Sequence, residues 1–125
     1  QAAMAGFISS GAFERHLRRS ALTLRERRGI LLKGLRACGR GRLEISDSRA
    51  GMHLVVWLRN ASLAQGDELI EHARARGLGL YSIAPLFIRP PARAGFLMGF
   101  AGLSPTEIER ALATFAESLD AVLPV

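Results

Sequence analysis

Three histidines and one cysteine are the residues best suited to metal binding or nucleophilic chemistry, and their positions support neither. His16, His53 and His72 fall on three separate predicted elements with no ligand spacing between them. Cys38 is the only cysteine, which excludes an intramolecular disulfide and a cysteine-based metal site. No serine stands in a G-x-S-x-G elbow, and no glycine pattern matches a phosphate cradle. Taken alone, these residues predict no catalytic mechanism.

Arginine dominates the charge of the chain, because Lys33 is the only lysine among 17 basic residues. The segment FERHLRRSALTLRERR, residues 13–28, carries six of the arginines. On a helical projection the arginines fall opposite an apolar stripe. That stripe consists of Phe13, Leu17, Ala21, Leu24, Leu31, Leu35 and Cys38. The pattern predicts a long amphipathic helix with an arginine-rich outer side, rather than a nucleic-acid-binding element with aromatic platforms or a helix-turn-helix.

Length and composition indicate one globular domain. The chain has 125 residues, of which 49% are apolar and 22% charged. No apolar run approaches the roughly 20 residues that cross a bilayer, and no secretory signal is visible. We therefore expect no membrane contact and a reducing, cytoplasmic setting. The chain starts at Gln1 with a segment that is typical of a helix interior, so we expect a piece of a longer protein.

The remaining segments predict the order helix–helix–β–β–α–β–β–α, which is an α+β fold: a small, largely antiparallel sheet packed with helices, preceded by the long amphipathic helix. The second strand opens at Gly51 and is apolar enough to be buried on both faces. Ser62 and Ser104 begin helices with capping boxes. The predicted strands cover residues 42–48, 51–59, 78–83 and 95–103, and the proline-rich segment 84–95 is predicted to be an irregular loop.

Four stretches resemble, in this order, the C-terminal part of fold-type I aminotransferases, and in particular the aminotransferase-like domain of MocR-type regulators in the GntR superfamily. They are FISSGAFERHLRR with RERRGILLKGL, then AGMHLVVWL, ARGLGLYSIAPLF and GFLMGFAGLSPTEIERAL. The resemblance covers nearly the whole chain. It implies that residues 1–10 are a helical remnant of the large domain and that residues 11–125 form the C-terminal small domain.

The resemblance also implies cofactor and partners. The intact protein would bind pyridoxal phosphate through a lysine of the large domain, which would lie upstream, so this chain would contain no catalytic, cofactor-binding or metal-binding residue. Its partners would be the large domain of the same chain and a second subunit in a homodimer. DNA would be contacted only through a winged helix preceding the aminotransferase-like domain.

Departures from the family pattern point to the ligand side. Aligned through the GFAG segment, residues 99–102, Leu97 stands where these aminotransferases place an arginine that clamps the substrate carboxylate. Either Arg93 on the preceding loop replaces that arginine, or the ligand lacks a carboxylate at that end. Gly51 is a further ligand-side candidate. The chain also has Ser20, Ala21 and Leu24 where relatives often carry a Met-Arg pair and a tyrosine.

Three functions remain open from the sequence. The first is a ligand-sensing effector domain of a transcriptional regulator. The second is the C-terminal domain of a true pyridoxal-phosphate aminotransferase, whose sequence would look much the same. The third is an autonomous basic module that binds nucleic acid through its arginines.

Overall fold

The computed structural model describes residues 12–47 and 52–125, so that residues 1–11 and 48–51 lie outside the described part. The predicted order of elements is confirmed from the long helix onward. The elements are α1 (Ala12–Gly39), β1 (Leu43–Asp47), β2 (His53–Leu58), α2 (Leu63–Ala75), β3 (Tyr81–Ser82), a 3-10 turn (Ala84–Leu86), β4 (Gly95–Gly99) and α3 (Pro105–Val122). The short helix expected within residues 1–10 falls outside these ranges.

The four strands form one antiparallel sheet with the order β1-β2-β4-β3. Side chains of directly paired residues point to the same side, so the register defines two faces. The closed face carries Leu54, Val56 and Phe96, which are all buried in the core. The helices cover this face: Leu35 of α1, Leu69 of α2 and Phe115 of α3 belong to the same buried cluster.

The second face of β2 is only half-buried, so the prediction that this strand is buried on both faces is wrong. Burial alternates along it, with Leu54, Val56 and Leu58 buried and the residues between them intermediate. The apolar run VVW conceals this alternation, because an apolar side chain can also lie on a partly exposed face. No described helix covers that side of the sheet.

The apolar stripe of α1 is covered from Leu24 onward. Leu31 and Leu35 are buried, whereas the Leu17 side chain is 50% exposed and Ala21 is exposed. The predicted amphipathic helix is therefore present, but Leu17 and Ala21 of its apolar stripe are not covered by the described chain. The reason is geometric: a helix of 28 residues is longer than the sheet and the α3 helix that it packs against.

Both predicted capping boxes are present and fix where α2 and α3 begin. The Ser62 side chain accepts a hydrogen bond from the Gln65 backbone, and the Gln65 side chain accepts one from the Ser62 N–H. Ser104 and Glu107 make the same reciprocal pair at the start of α3, with Pro105 in the first turn. Each box satisfies two helix N–H groups that would otherwise lack partners. Gly77, with φ of 86°, follows α2 and ends it.

Two predicted strands are shorter in the structure. The third strand has two residues instead of six, because Gly79 and the turn at residues 84–86 leave only Tyr81 and Ser82 paired with β4. The fourth strand ends at Gly99, since the chain turns at Ala101 and Gly102 before α3. The loop predicted over residues 84–95 begins with that 3-10 turn. Within the described ranges, no helix is both long and apolar enough to cross a membrane.

Arg42 ties the C-terminal ends of α1 and α3 together from a buried position. Its guanidinium donates to the carbonyls of Leu119 and Leu123 at 3.3 and 2.6 Å, and it pairs with the Asp120 carboxylate at 2.9 Å. It also donates to two carbonyls in the last turn of α1, those of Cys38 and Gly39. Helix C-termini carry partial negative charge and carbonyls without helical donors, so one cation satisfies both ends.

Candidate ligand-facing site

The sheet face opposite the helices is the open face, and the two ligand-side candidates that the structure describes, Leu97 and Arg93, lie on it. It is formed by Glu44 of β1, by His53, Val55 and Trp57 of β2 and by Leu97 of β4. Glu44 pairs with Trp57, Val55 pairs with Leu97, and Leu97 pairs on its other side with Tyr81. Two exposed apolar residues lie at this face: Tyr81, which pairs with Leu97, and Phe87, which stands beside Trp57. Such a surface is typical of a site that meets another part of a protein or a ligand.

Trp57 organises the centre of the open face. Its ring lies against Gly95, where an added Cβ would come within 2.6 Å of the ring carbon Cε3. A glycine is therefore required at this strand position by close approach. The Phe87 ring stands beside Trp57, with centroids 6.2 Å apart and a tilt of 56°. The loop after the 3-10 turn thus folds back over the open face.

Arg93 reaches the open face but is engaged there by protein groups. Its guanidinium lies 4.9 Å from the centroid of the Trp57 ring and forms an ion pair with Glu44. Glu44 stands on β1 and Leu97 on β4, with β2 between them. The structure therefore places Arg93 and Leu97 on the same face but brings the arginine to the β1 side. The Arg93 side chain is 46% exposed, so its ion pair is a surface interaction of modest strength.

Leu97 lies on the wall of an open groove of about 880 Å³. The groove reaches from Leu97 to the helix side of the sheet, where Leu35, Met98 and Phe115 line it, and its wall is largely apolar. His53 also contributes to this wall, and the described arginines that line it are Arg76 and Arg110. Leucine offers no hydrogen-bond donor to an anionic ligand group at this point. Gly51, the third ligand-side candidate, lies outside the described residues.

The residues of this chain do not fit the covalent attachment of pyridoxal phosphate. A lysine with that role is usually partly desolvated, which lowers its pKa. Lys33, the single lysine of the sequence, is exposed on the arginine-rich side of α1. Across residues 12–47 and 52–125, no group of three or more His, Cys, Asp or Glu side chains is arranged to hold a metal ion.

The surroundings of Cys38 and His72 indicate that both residues have a structural role. Burial raises the pKa of the Cys38 thiol above its usual value, and the nearby Arg42 charge offsets this only in part. His72 on α2 is half-buried, and its Nδ1 lies 2.8 Å from the Oγ of Ser118. Ser118 is fully buried on α3, so its hydroxyl cannot reach a substrate. The pair joins two helices.

Sequence reasoning missed two residues that hold the fold around this site, Arg42 and Ser118. Arg42 looked like one more surface arginine, because its partners Leu119 and Leu123 are 77 and 81 residues away. Ser118 interrupts the apolar stripe of α3 between Phe115 and Leu119, and a polar residue inside such a stripe is the signal that could have found it.

The relatives found by comparison with known proteins include transcriptional regulators. No protein-family model matches the chain. It is 31% identical over 108 residues to the uncharacterized HTH-type transcriptional regulator YhdI of Bacillus subtilis, which covers 86% of the chain and 23% of the regulator. It is 32% identical over 105 residues to the probable rhizopine catabolism regulatory protein MocR of Rhizobium meliloti, covering 84% of the chain and 21% of that protein. The chain thus spans between a fifth and a quarter of these regulators.

Solved structures with the same fold include aminotransferases. Alpha-aminoadipate aminotransferase LysN of Thermus thermophilus matches 94% of the chain with a TM-score of 0.81 at 18% identity, over 30% of its own length. The multiple substrate aminotransferase of Thermococcus profundus matches 94% with a TM-score of 0.79 at 17% identity, over 28% of its length. The chain therefore has the small-domain fold of fold-type I aminotransferases and is related in sequence to MocR-type transcriptional regulators.

Proposed function

We propose that the chain is part of the ligand-sensing effector domain of a transcriptional regulator, in which an aminotransferase-like domain serves for recognition. The observation that carries this proposal is the identity of 31 and 32% to two regulators over more than four-fifths of the chain. Residues 11–125 are the small domain in this proposal, and residues 1–10 are a remnant of the large domain. The intact protein is a cytoplasmic homodimer whose DNA contacts come from a winged helix elsewhere in its sequence.

Pyridoxal phosphate belongs to the intact protein in this proposal, and the large domain holds it. The cofactor supplies an aldehyde that reacts with primary amines. The LysN structure supports this expectation, since it contains N-(5'-phosphopyridoxyl)-L-leucine. Because Lys33 is exposed, we expect the 125-residue chain alone to bind pyridoxal phosphate weakly, and Lys33→Arg to remove that binding.

The ligand side of the small domain is the open face around Leu97. In a carboxylate-binding site an arginine would form two charge-assisted hydrogen bonds with the ligand. Leu97 forms none, and the Arg93 guanidinium is held by Glu44 and Trp57. These contacts favour an amine ligand without a carboxylate at this end over the alternative in which Arg93 leaves Glu44 to bind one. Gly51 is adjacent in sequence to β2 and completes the set of candidates.

The experiment compares amine ligands on the full-length protein. Calorimetric titration should show weak binding of common α-amino acids, and Leu97→Arg should tighten it by about tenfold or more because a bidentate pair is gained. Leu97→Gln is the matched control, since it adds a polar group without the charged fork. Efficient transamination of ordinary α-amino acids by the unaltered protein, unchanged in Arg93→Ala, would contradict the proposal.

A true aminotransferase is the second candidate, because solved aminotransferases match the fold over most of the chain. A test of DNA binding distinguishes the two functions. A regulator should bind a duplex from its own upstream region in a mobility-shift assay and should respond to its ligand, whereas an aminotransferase should turn over amino acids without binding that duplex. The third alternative, an autonomous nucleic-acid-binding module, would require sequence-selective binding by the 125-residue chain itself at physiological salt.

A further inference from the structure

The free edge of β1 has backbone groups that point away from the sheet. On the β1 side of β2, the Arg59 N–H donates to the Arg42 carbonyl. On the β4 side, the Leu58 N–H donates to the Ala94 carbonyl. Successive residues of an antiparallel strand direct their backbone N–H and C=O groups to alternate sides. Glu44 therefore bonds to β2, whereas the N–H and C=O groups of Leu43 and Ile45 point outward. Within the part of the chain that the structure describes, β1 has no strand neighbour on this outer side.

A groove of about 420 Å³ runs along this edge, between β1 and the second half of α1. Its floor is apolar and formed by half-buried side chains of Leu32, Leu43 and Ile45. Its rim is basic and contains Arg28, Arg36, Arg40 and Arg59. The groove therefore combines unpaired strand hydrogen bonds, an apolar floor and positive charge in one place.

Two arginines of the rim, Arg36 and Arg40, have no acidic partner in the described part of the chain. Arg36 and Arg40 are exposed, and no described acidic side chain lies within ion-pair distance of either. Glu44, the acidic side chain on the rim, is shared by Arg93 and, at 4.0 Å, by Arg59. An incoming carboxylate would therefore meet available guanidinium groups, and the formal net charge of +6 favours an acidic partner at longer range.

We propose that the edge of β1 binds an extended acidic segment of a separate polypeptide as a fifth strand of the sheet. Its backbone pairs with Leu43 and Ile45. Apolar side chains on one side of the segment rest on the floor of the groove, and its carboxylates bind the arginine rim. Strand addition of this kind takes affinity from the main chain and specificity from the flanking side chains.

A second copy of this chain fits the groove less well. Two β1 strands would pair edge to edge and bring together two chains that each carry a formal charge of +6. They would also place the arginine rims of the two copies at the same junction, where like charges repel. An acidic partner removes both costs. The inference does not depend on the proposed regulatory function, because it concerns the opposite end of the sheet from the Leu97 groove.

The first measurement is amide hydrogen exchange of the 125-residue chain with a synthetic peptide. The probe has about ten residues, with valine and glutamate alternating at its centre and glutamate pairs at both ends, as a strand in the groove requires. The amides of Leu43 and Ile45 should exchange more slowly when the peptide is bound, and that of Glu44, already bonded to β2, should change little. A peptide with lysine at every glutamate position is the control and should bind at least about tenfold more weakly.

Matched variants then separate the groove from net charge. In fluorescence anisotropy titrations, the double variant Arg36→Glu, Arg40→Glu should weaken binding about tenfold or more. The double variant Arg18→Glu, Arg19→Glu changes the net charge equally on the exposed first half of the same helix, and it should bind within about twofold of the unaltered chain. Ile45→Pro removes an outward N–H without removing a β1–β2 bond and should abolish protection at Leu43.

Three results would overturn the proposal. One is an equal loss of binding in the two double variants, which would mean that only net charge is recognised. Another is peptide binding that leaves the Leu43 and Ile45 amides unprotected. The third is a β1-dependent dimer of the chain by sedimentation, which would identify a second copy as the occupant of the edge. Circular dichroism verifies that each variant is folded, and the arginine variants decide the question if Ile45→Pro does not fold.

Discussion

The two faces of the sheet use the same residue types for different purposes. On the closed face, neighbouring apolar side chains from three helices enclose Phe96, and a buried arginine, Arg42, is surrounded by carbonyls. On the open face, Leu97 stands at a groove, and Arg93 lies on an aromatic ring with half of its surface in water. Because burial decides how much a contact contributes, the closed face should carry the stability of the fold and the open face should tolerate change.

The largest expected difference between the faces lies at two adjacent positions of β4. Phe96→Ala should lower the free energy of unfolding by about 3–5 kcal/mol, because a fully buried ring is lost from a packed core. Leu97→Ala should cost about 1 kcal/mol, since the leucine is only half-buried. Urea unfolding followed by circular dichroism measures both. Equal losses would show that the open face is as firmly packed as the closed face.

The next largest difference is between the two arginines. Arg42→Ala should destabilise the chain by about 2–4 kcal/mol, because it removes the donor to the carbonyls of Leu123 and Cys38 at two helix ends and leaves the Asp120 carboxylate unpaired. Arg93→Ala should cost at most about 1 kcal/mol, since its ion pair with Glu44 is exposed to solvent. The same unfolding experiment compares them, and Asp120→Asn tests how much of the Arg42 effect comes from its carboxylate partner. A larger loss in Arg93→Ala than in Arg42→Ala would contradict this ranking.

The same contrast explains what the sequence could predict. The capping boxes at Ser62 and Ser104 depend on residues three positions apart, so local spacing was sufficient to find them. The order of elements followed from periodicity in the same way. Arg42 escaped prediction because its partners on α3 come together only in the folded chain. Whether an apolar surface is covered is likewise a tertiary property, and the sequence did not predict it correctly at β2 or at Leu17 and Ala21 of α1.

The candidate site was predicted less completely than the fold. A comparison of residue types through the GFAG segment singled out Leu97, and the structure places it on a groove. The same comparison could not show that Arg93 has Trp57 and Glu44 as partners, because these residues lie on strands distant in sequence. Side-chain partners of long arginines are set by three-dimensional proximity, which spacing along the chain does not encode.

The smallest expected effect concerns Glu107, which lies at the exposed start of α3, apart from both faces. The backbone N–H and the hydroxyl of Ser104 both donate hydrogen bonds to the Glu107 carboxylate. These bonds, of which the backbone one has the larger effect, hold the pKa of Glu107 below the usual value of 4.5. A carboxyl whose pKa is lowered by folding binds protons more readily in the unfolded chain. Its contribution to stability is therefore complete above the unfolded pKa and is lost as the pH falls through the folded pKa.

Glu107→Gln should show this directly. The amide can still accept the Ser104 N–H bond, so the variant keeps the capping geometry but removes the titrating group. The difference in the free energy of unfolding between the unaltered chain and Glu107→Gln should be constant near neutral pH and should shrink between about pH 5 and pH 3. Glu109→Gln, on the exposed side of the same helical turn and outside the capping box, is the matched control. If both variants show the same dependence on pH, its cause is not the capping box but the general electrostatic effect of the arginine-rich surface.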